Sequence, residues 1–119
     1  MNALYHWSAS FWGMNYPYAK TRNLAAMGYF DEETMKSFTD WNGRVMAPGE
    51  LDRKTKELVA VACAYMIRCL YLIKGHAKAA VEAGGSKKEL AEVIQIAMAL
   101  AAGARIAHRN FALDVQLRL

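Results

Sequence analysis

The C-terminal third of this chain is more apolar than the outside of a small protein tolerates. This limits its fold more than any other feature. Ser86 and Glu89 form an S-x-x-E capping box, the signature of a helix start. Behind it, Val93, Ile94, Ile96, Ala97, Met98, Leu100 and Ala101 occupy most faces of a helix predicted over residues 87–102, with Gln95 the exception. A helix apolar all round is buried on every side. At 119 residues the chain is one domain by length, so such burial calls for further copies of the chain. Gly103 is expected to pause this helix, and a last helical segment over residues 105–117 follows.

The preceding chain reads as helix throughout, with no strand-period alternation, repeat or low-complexity tract. Asp31 is placed to cap a helix over residues 32–46, whose Met35, Phe38, Trp41, Asn42 and Val45 trace one face. Ala47-Pro48-Gly49 is a stop and turn. Asp52 caps a central helix with a stripe of Leu58, Val61, Ala62, Tyr65 and Met66. The helix bends or restarts over residues 68–71 and continues to Ala83, where Gly84-Gly85 ends it. The first thirty residues form an aromatic-rich helical segment with eight of the thirteen aromatic residues. There Leu4, Trp7, Phe11 and Met14 make an amphipathic stripe, Pro17 breaks it, and a second short helix stops at Gly28. These aromatics are expected to pack in a core or subunit interface, the alternative being a ligand pocket that His6 could share.

Composition excludes several classes. Hydrophobic residues make up 55% and charged residues 22%, which is incompatible with disorder. The formal charge is +4, but signs alternate in Asp52-Arg53-Lys54-Thr55-Lys56-Glu57 and in Lys87-Lys88-Glu89. These are solvated helix faces, and no nucleic-acid motif accompanies them. The two cysteines, Cys63 and Cys69, are no disulfide framework. Six apart in one predicted helix, they sit about 240° round the axis and do not pair within it. Cys63 is expected as a small core residue. No basic segment precedes an apolar signal core, and the apolar run Leu58–Ile67 is too short to span a bilayer. The expectation is a cytoplasmic protein with neither membrane nor nucleic-acid partner.

Candidate chemistry concentrates in residues 57–76. A carboxylate, Glu57, opens the stretch. A thiol, Cys69, follows twelve positions later, and an imidazole, His76, seven after that. Three reactive groups in a mostly apolar run point to a site. They lack a tight metal-ligand spacing, so neither metal nor cofactor is expected.

The run Leu51-Asp52-Arg53-Lys54-Thr55-Lys56-Glu57-Leu58-Val59-Ala60-Val61-Ala62 resembles the start of the carboxymuconolactone decarboxylase / AhpD-like alkylhydroperoxidase domain. The similarity continues through Cys69-Leu70-Tyr71-Leu72-Ile73-Lys74-Gly75-His76, Ala79–Gly84 and Glu89–Glu92 to Ala101–His108, covering about residues 30–114. The resemblance implies an all-α, compact AhpD-like helical bundle, a single domain over residues 1–119, assembled as a trimer or hexamer. The redox branch of that family has the pattern Glu, eleven residues, Cys-x-x-Cys, three residues, His. Glu57, Cys69 and His76 match it in register, and Leu72 stands where the second cysteine belongs.

Each role in that branch has a chemical reason. An activated thiolate attacks the peroxide, a glutamate–histidine pair relays the proton, a second thiol closes a disulfide, and an external dithiol reductant reopens it. Leu72 occupies the position of the attacking thiol, which impairs this cycle unless Cys69 works alone through a sulfenic acid. The decarboxylase branch needs only acid–base groups and a cationic anchor, for which His76, His108, Glu57 and Arg105 are candidates. An altered member, natural or designed, could use His76 as nucleophile or base on a small-molecule substrate, with Leu72 and Tyr71 beside it. An inactive binding or structural homologue is the remaining reading.

Overall fold

The helix starts carry the caps that their residues foretell. In the computed structural model, which describes residues 28–115, the side chain of Asp31 accepts a hydrogen bond from Thr34 N (2.8 Å) and opens α1, Glu32–Met46. Asp52 accepts from Thr55 N (2.7 Å) and opens α2, Arg53–Met66. Ser86 Oγ accepts from Glu89 N (3.0 Å), while Glu89 Oε2 accepts from Ser86 N (2.8 Å), and this reciprocal box opens α4, Lys87–Ala107. Between α2 and α4 lies α3, Leu70–Glu82, and the single turn α5, Asn110–Leu113, ends the described chain. Every regular element among the described residues is a helix, so the fold is all-α. The expected helices over residues 4–27, with their aromatic stripe and His6, lie outside the described residues, as do residues 116–119.

Two turns of one type set the path of the central helices. After α2, Cys69 N donates to Ala64 O (3.1 Å) and Arg68 N to Tyr65 O (3.2 Å), with Arg68 at φ 57°. After α3, Gly85 N donates to Ala80 O (2.7 Å) and Gly84 N to Val81 O (3.0 Å), with Gly84 at φ 96°. Both are Schellman endings, which need a left-handed residue just past the helix. Gly84 adopts it freely. Arg68 adopts it at a cost of about 1 kcal/mol.

α2 is the centre of the bundle, packing on α3 and, less extensively, on α4, while α1 touches it only lightly. The buried side chains at its core are small: Val61 and Ala64 on α2, Ala79 and Ala80 with Gly75 on α3, and Ala97 on α4. Small residues let helix axes approach closely. Polar ties fix the outer helices. Lys54 Nζ donates to Glu89 Oε1 (2.9 Å), joining α2 to the first turn of α4. Lys56 Nζ donates to Val45 O (2.8 Å) and to Ala47 O, satisfying carbonyls that the end of α1 leaves unpaired.

Several expectations need correction. The α4 helix is not buried on all sides, since Ala97 is its one buried residue. Among the described residues only the side facing α2 is covered, where Leu90, Val93, Ile94 and Ala101 are half-buried. Gly103 does not pause it. One glycine costs only about 1 kcal/mol in a helix, and its alanine neighbours carry the helix through to Ala107. The break falls instead at His108 and Arg109, leaving α5 as one turn. Cys63 is exposed rather than in the core, because α2 turns Glu57, Val61 and Ala64 inward and Cys63 lies on another side. Tyr65 and Met66, expected in the buried stripe, are exposed for the same reason. Beside the run Leu58–Ile67 there is a longer apolar stretch, interrupted by charged residues. The segment Lys87–Leu113 is long and apolar enough to cross a membrane by length and composition alone. The core helix of a soluble bundle has the same composition.

Candidate functional site

Glu57 lies in the second turn of α2, on the side it shares with Val61 and Ala64. On α3, His76 follows buried Gly75 and precedes buried Ala79 and Ala80 by three and four positions, so all of them belong to the inward side of that helix. Packing these small-residue sides together brings the two polar groups into contact. His76 Nδ1 lies 2.7 Å from Glu57 Oε2, across nineteen positions of sequence. Glu57 is 7% exposed and the side chain of His76 14%. The pair is therefore largely withdrawn from water, with the imidazole keeping a small solvent contact.

A carboxylate can only accept, so Nδ1 carries the proton and donates it to Glu57. In the neutral ring Nε2 then holds the lone pair, the form a general base requires. Among the described residues every buried side-chain polar atom has a partner, so the carboxylate is a satisfied part of the core.

The other candidates are distributed around this pair. Leu72 lies one turn before His76 on the same side of α3 and is half-buried. It puts an apolar side chain where a thiol would be closest to the imidazole. Cys69 is the N-cap residue of α3, half-buried and without a disulfide. It shares the side of Leu72 and His76, two turns from the imidazole. Tyr71 is half-buried, about 140° round the helix from His76. His108 is exposed at the end of α4, its Nδ1 2.8 Å from Ala104 O and its ring 5.4 Å from that of Phe111. Arg105 is also exposed and donates to Ala101 O (2.8 Å). Thus the structure brings Glu57 and His76 together, sets Leu72 and Cys69 along the same helix side, and leaves His108 and Arg105 at the far end of α4. Among the described residues no group of three His, Cys, Asp or Glu side chains gathers as metal ligands.

Sequence reasoning missed three supporting residues. Gly75, beside the imidazole, is buried. Lys54 and Lys56 pin α4 and α1 to the helix that carries Glu57. Within the alternating charges of residues 52–57 nothing distinguishes these lysines from solvated ones. The hydrogen bond from Lys54 holds the carboxyl of Glu89 below the usual glutamate range, and the same bond raises Lys54.

The profile of the Carboxymuconolactone decarboxylase family matches residues 32–114, from α1 into the residue after α5. A protein of Paracoccus denitrificans described as "Uncharacterized protein 4 in cox locus" is 44% identical over 71 residues, which cover 60% of this chain and 64% of that protein. The chain therefore spans less than two thirds of that relative's length. No solved structure gives a significant match.

Proposed function

The chain belongs to the carboxymuconolactone decarboxylase family, and on that premise we propose that it is an enzyme of acid–base chemistry on a small organic molecule, with His76 as the proton-transfer group. The observation that carries this reading is the part-buried 2.7 Å contact between His76 Nδ1 and Glu57 Oε2. Glu57 orients the ring and fixes its tautomer. Nε2 removes a proton from the substrate, whose electron pair stays behind, and returns a proton at the atom where charge develops. Neither oxidant nor reductant is consumed.

The peroxide-reducing activity of the family's redox branch is impaired here. Attack of a thiolate on a peroxide oxygen yields a sulfenic acid and an alcohol, and a second thiol must then condense with release of water. Leu72 removes the thiol one turn from His76. A second reading keeps Cys69 as a lone peroxide-reactive thiol that an external dithiol regenerates. Its half-buried position on the side of α3 that carries His76 favours it.

One set of assays separates the two. Decarboxylation of a carboxylated lactone, and dithiol-dependent consumption of an organic hydroperoxide, are measured for the wild type, His76→Ala and Cys69→Ala. On the acid–base reading, His76→Ala lowers lactone turnover by roughly 10²–10⁴-fold, and Cys69→Ala leaves it intact. Hydroperoxide consumption that disappears with Cys69→Ala, together with a trapped sulfenic acid, supports the second reading. Lactone turnover that survives His76→Ala sinks the first.

A further inference from the structure

The end of α4 leaves the bundle. α4 has 21 residues, whereas α2 and α3 have 14 and 13. At about 1.5 Å per residue it is roughly 10 Å longer than the helices beside it. Ala101 is its last half-buried residue, and every residue from 102 to 115 is exposed among the described residues. This arm, the end of α4 with α5, carries large apolar side chains in the open: Phe111 is 75% exposed, Leu113 68% and Ile106 62%. It also carries the cations Arg105 and Arg109 against one carboxylate, Asp114. Each arginine donates one N–H to a backbone carbonyl, Ala101 O (2.8 Å) and Ile106 O (2.9 Å). Neither has an ion-pair partner among the described residues, and a guanidinium has five N–H donors.

We propose that this arm docks the protein on an anionic lipid surface. Ile106, Phe111 and Leu113 enter the boundary between headgroups and acyl chains, and Arg105 and Arg109 bind lipid phosphates. Three observations select this occupant. The first is charge: a planar guanidinium matches phosphate geometry, an anionic leaflet attracts cations held near it, and the whole chain has a formal charge of +4. The second is composition. Lys87–Leu113 is apolar enough for a bilayer, yet only 6% of its most apolar stretch is buried, whereas a helix apolar for the sake of a core is covered. The segment does not span, because Ala97 is buried within the bundle and Lys54 holds Glu89 (2.9 Å). Its first half therefore belongs to the bundle, and the arm alone is free to meet lipid.

The third is the order of side chains. Cations and apolar groups are interleaved along the arm as Arg105, Ile106, Arg109 and Phe111. A rigid protein groove that took the apolar groups would enclose a guanidinium. At a lipid boundary an arginine keeps its stem among apolar groups while its head reaches the phosphates. This departs from the expectation, drawn from composition, of no membrane partner.

Flotation of the full chain with phosphatidylcholine vesicles, with and without phosphatidylglycerol, tests the proposal. Binding to the mixed vesicles is expected. Omitting phosphatidylglycerol, or replacing both cations (Arg105→Gln with Arg109→Gln), weakens it at least about tenfold. Phe111→Glu weakens it likewise, and circular dichroism checks that each variant keeps its helix. A second measurement leaves the arm's cations and Phe111 intact. In a chain with Cys63→Ser and Cys69→Ser, an environment-sensitive fluorophore on Leu113→Cys shifts to the blue on mixed vesicles. The same fluorophore on Lys87→Cys, at the opposite end of α4, does not. The proposal is overturned by a chain that stays in the aqueous fraction, or by binding indifferent to both phosphatidylglycerol and the arginine pair. Blue shifts at both labels, which mark a spanning helix, also overturn it. So does self-association that Phe111→Glu abolishes in a chain that binds no vesicle.

Discussion

The contact between Glu57 and His76 gives the sharpest test of the site. Replacing Glu57 by alanine removes a carboxylate that is 7% exposed and leaves the Nδ1–H of a largely enclosed imidazole without its acceptor. A charge-assisted hydrogen bond contributes about 1.5–3 kcal/mol, and removing one partner of a buried ion pair costs about 3–5 kcal/mol. The side chain of His76 keeps 14% exposure, so water can recover part of the loss. The cost of Glu57→Ala should therefore be about 2–3 kcal/mol. Glu57→Gln keeps the shape and an acceptor oxygen but loses the charge, so its cost should be about 1 kcal/mol.

Denaturant unfolding followed by circular dichroism measures both numbers. The same contact makes a second, independent forecast. A bias of about 1.5–3 kcal/mol is a population ratio of roughly 10–100, so nitrogen NMR of the imidazole should show the tautomer protonated at Nδ1. In Glu57→Ala that bias should disappear. Two variants within about 0.5 kcal/mol of the wild type, or a tautomer unchanged by Glu57→Ala, would refute the argument that the carboxylate orients the ring.

Other expectations follow from the packing and the turns. Val61 is 1% exposed, and Val61→Ala removes about two methylene equivalents, so stability should fall by about 2 kcal/mol on denaturant unfolding. A Cβ at Gly85 would lie 2.7 Å from Ala80 O. Gly85→Ala should therefore lower Tm sharply, and a Tm equal to wild type would show that the turn yields. Arg68 sits at φ 57°, and Arg68→Gly should raise stability by up to about 1 kcal/mol through relief of the left-handed strain.

Hydrogen bonds hold two carboxyls below their ordinary values, Asp52 through Thr55 from 3.8 and Glu89 through Lys54 from 4.5. A depressed folded-state pKa stabilises above the unfolded value and loses that effect as pH falls through the folded value. The denaturation midpoint should thus lose both contributions as pH drops below 4.5 and then 3.8, and Lys54→Met should reduce the Glu89 part.

The parts of the fold that depend on near neighbours were legible in the chain. Asp31, Asp52 and Ser86 cap their helices three residues ahead, a contact within one turn that the residue types dictate. The restart at residues 68–71 and the stop at Gly84 are likewise local backbone events. The spacing of Glu57, Cys69 and His76 was legible as a register, since a match of spacing needs no coordinates. Where the three groups lie in space was not.

What the sequence determined alone is an all-α chain with its helix starts, the stops of its first three described helices and a short list of reactive side chains. Tertiary structure decided which side of each helix faces inward. The large residues of α2 suggested one stripe, yet close approach to α3 selected the side with Glu57, Val61 and Ala64, which put Cys63 in solvent and Glu57 against His76. The apolar surface of α4 implied burial, but among the described residues only the side facing α2 is covered. Periodicity records how much apolar surface a helix has, whereas the neighbour that covers it is fixed by contacts distant in sequence.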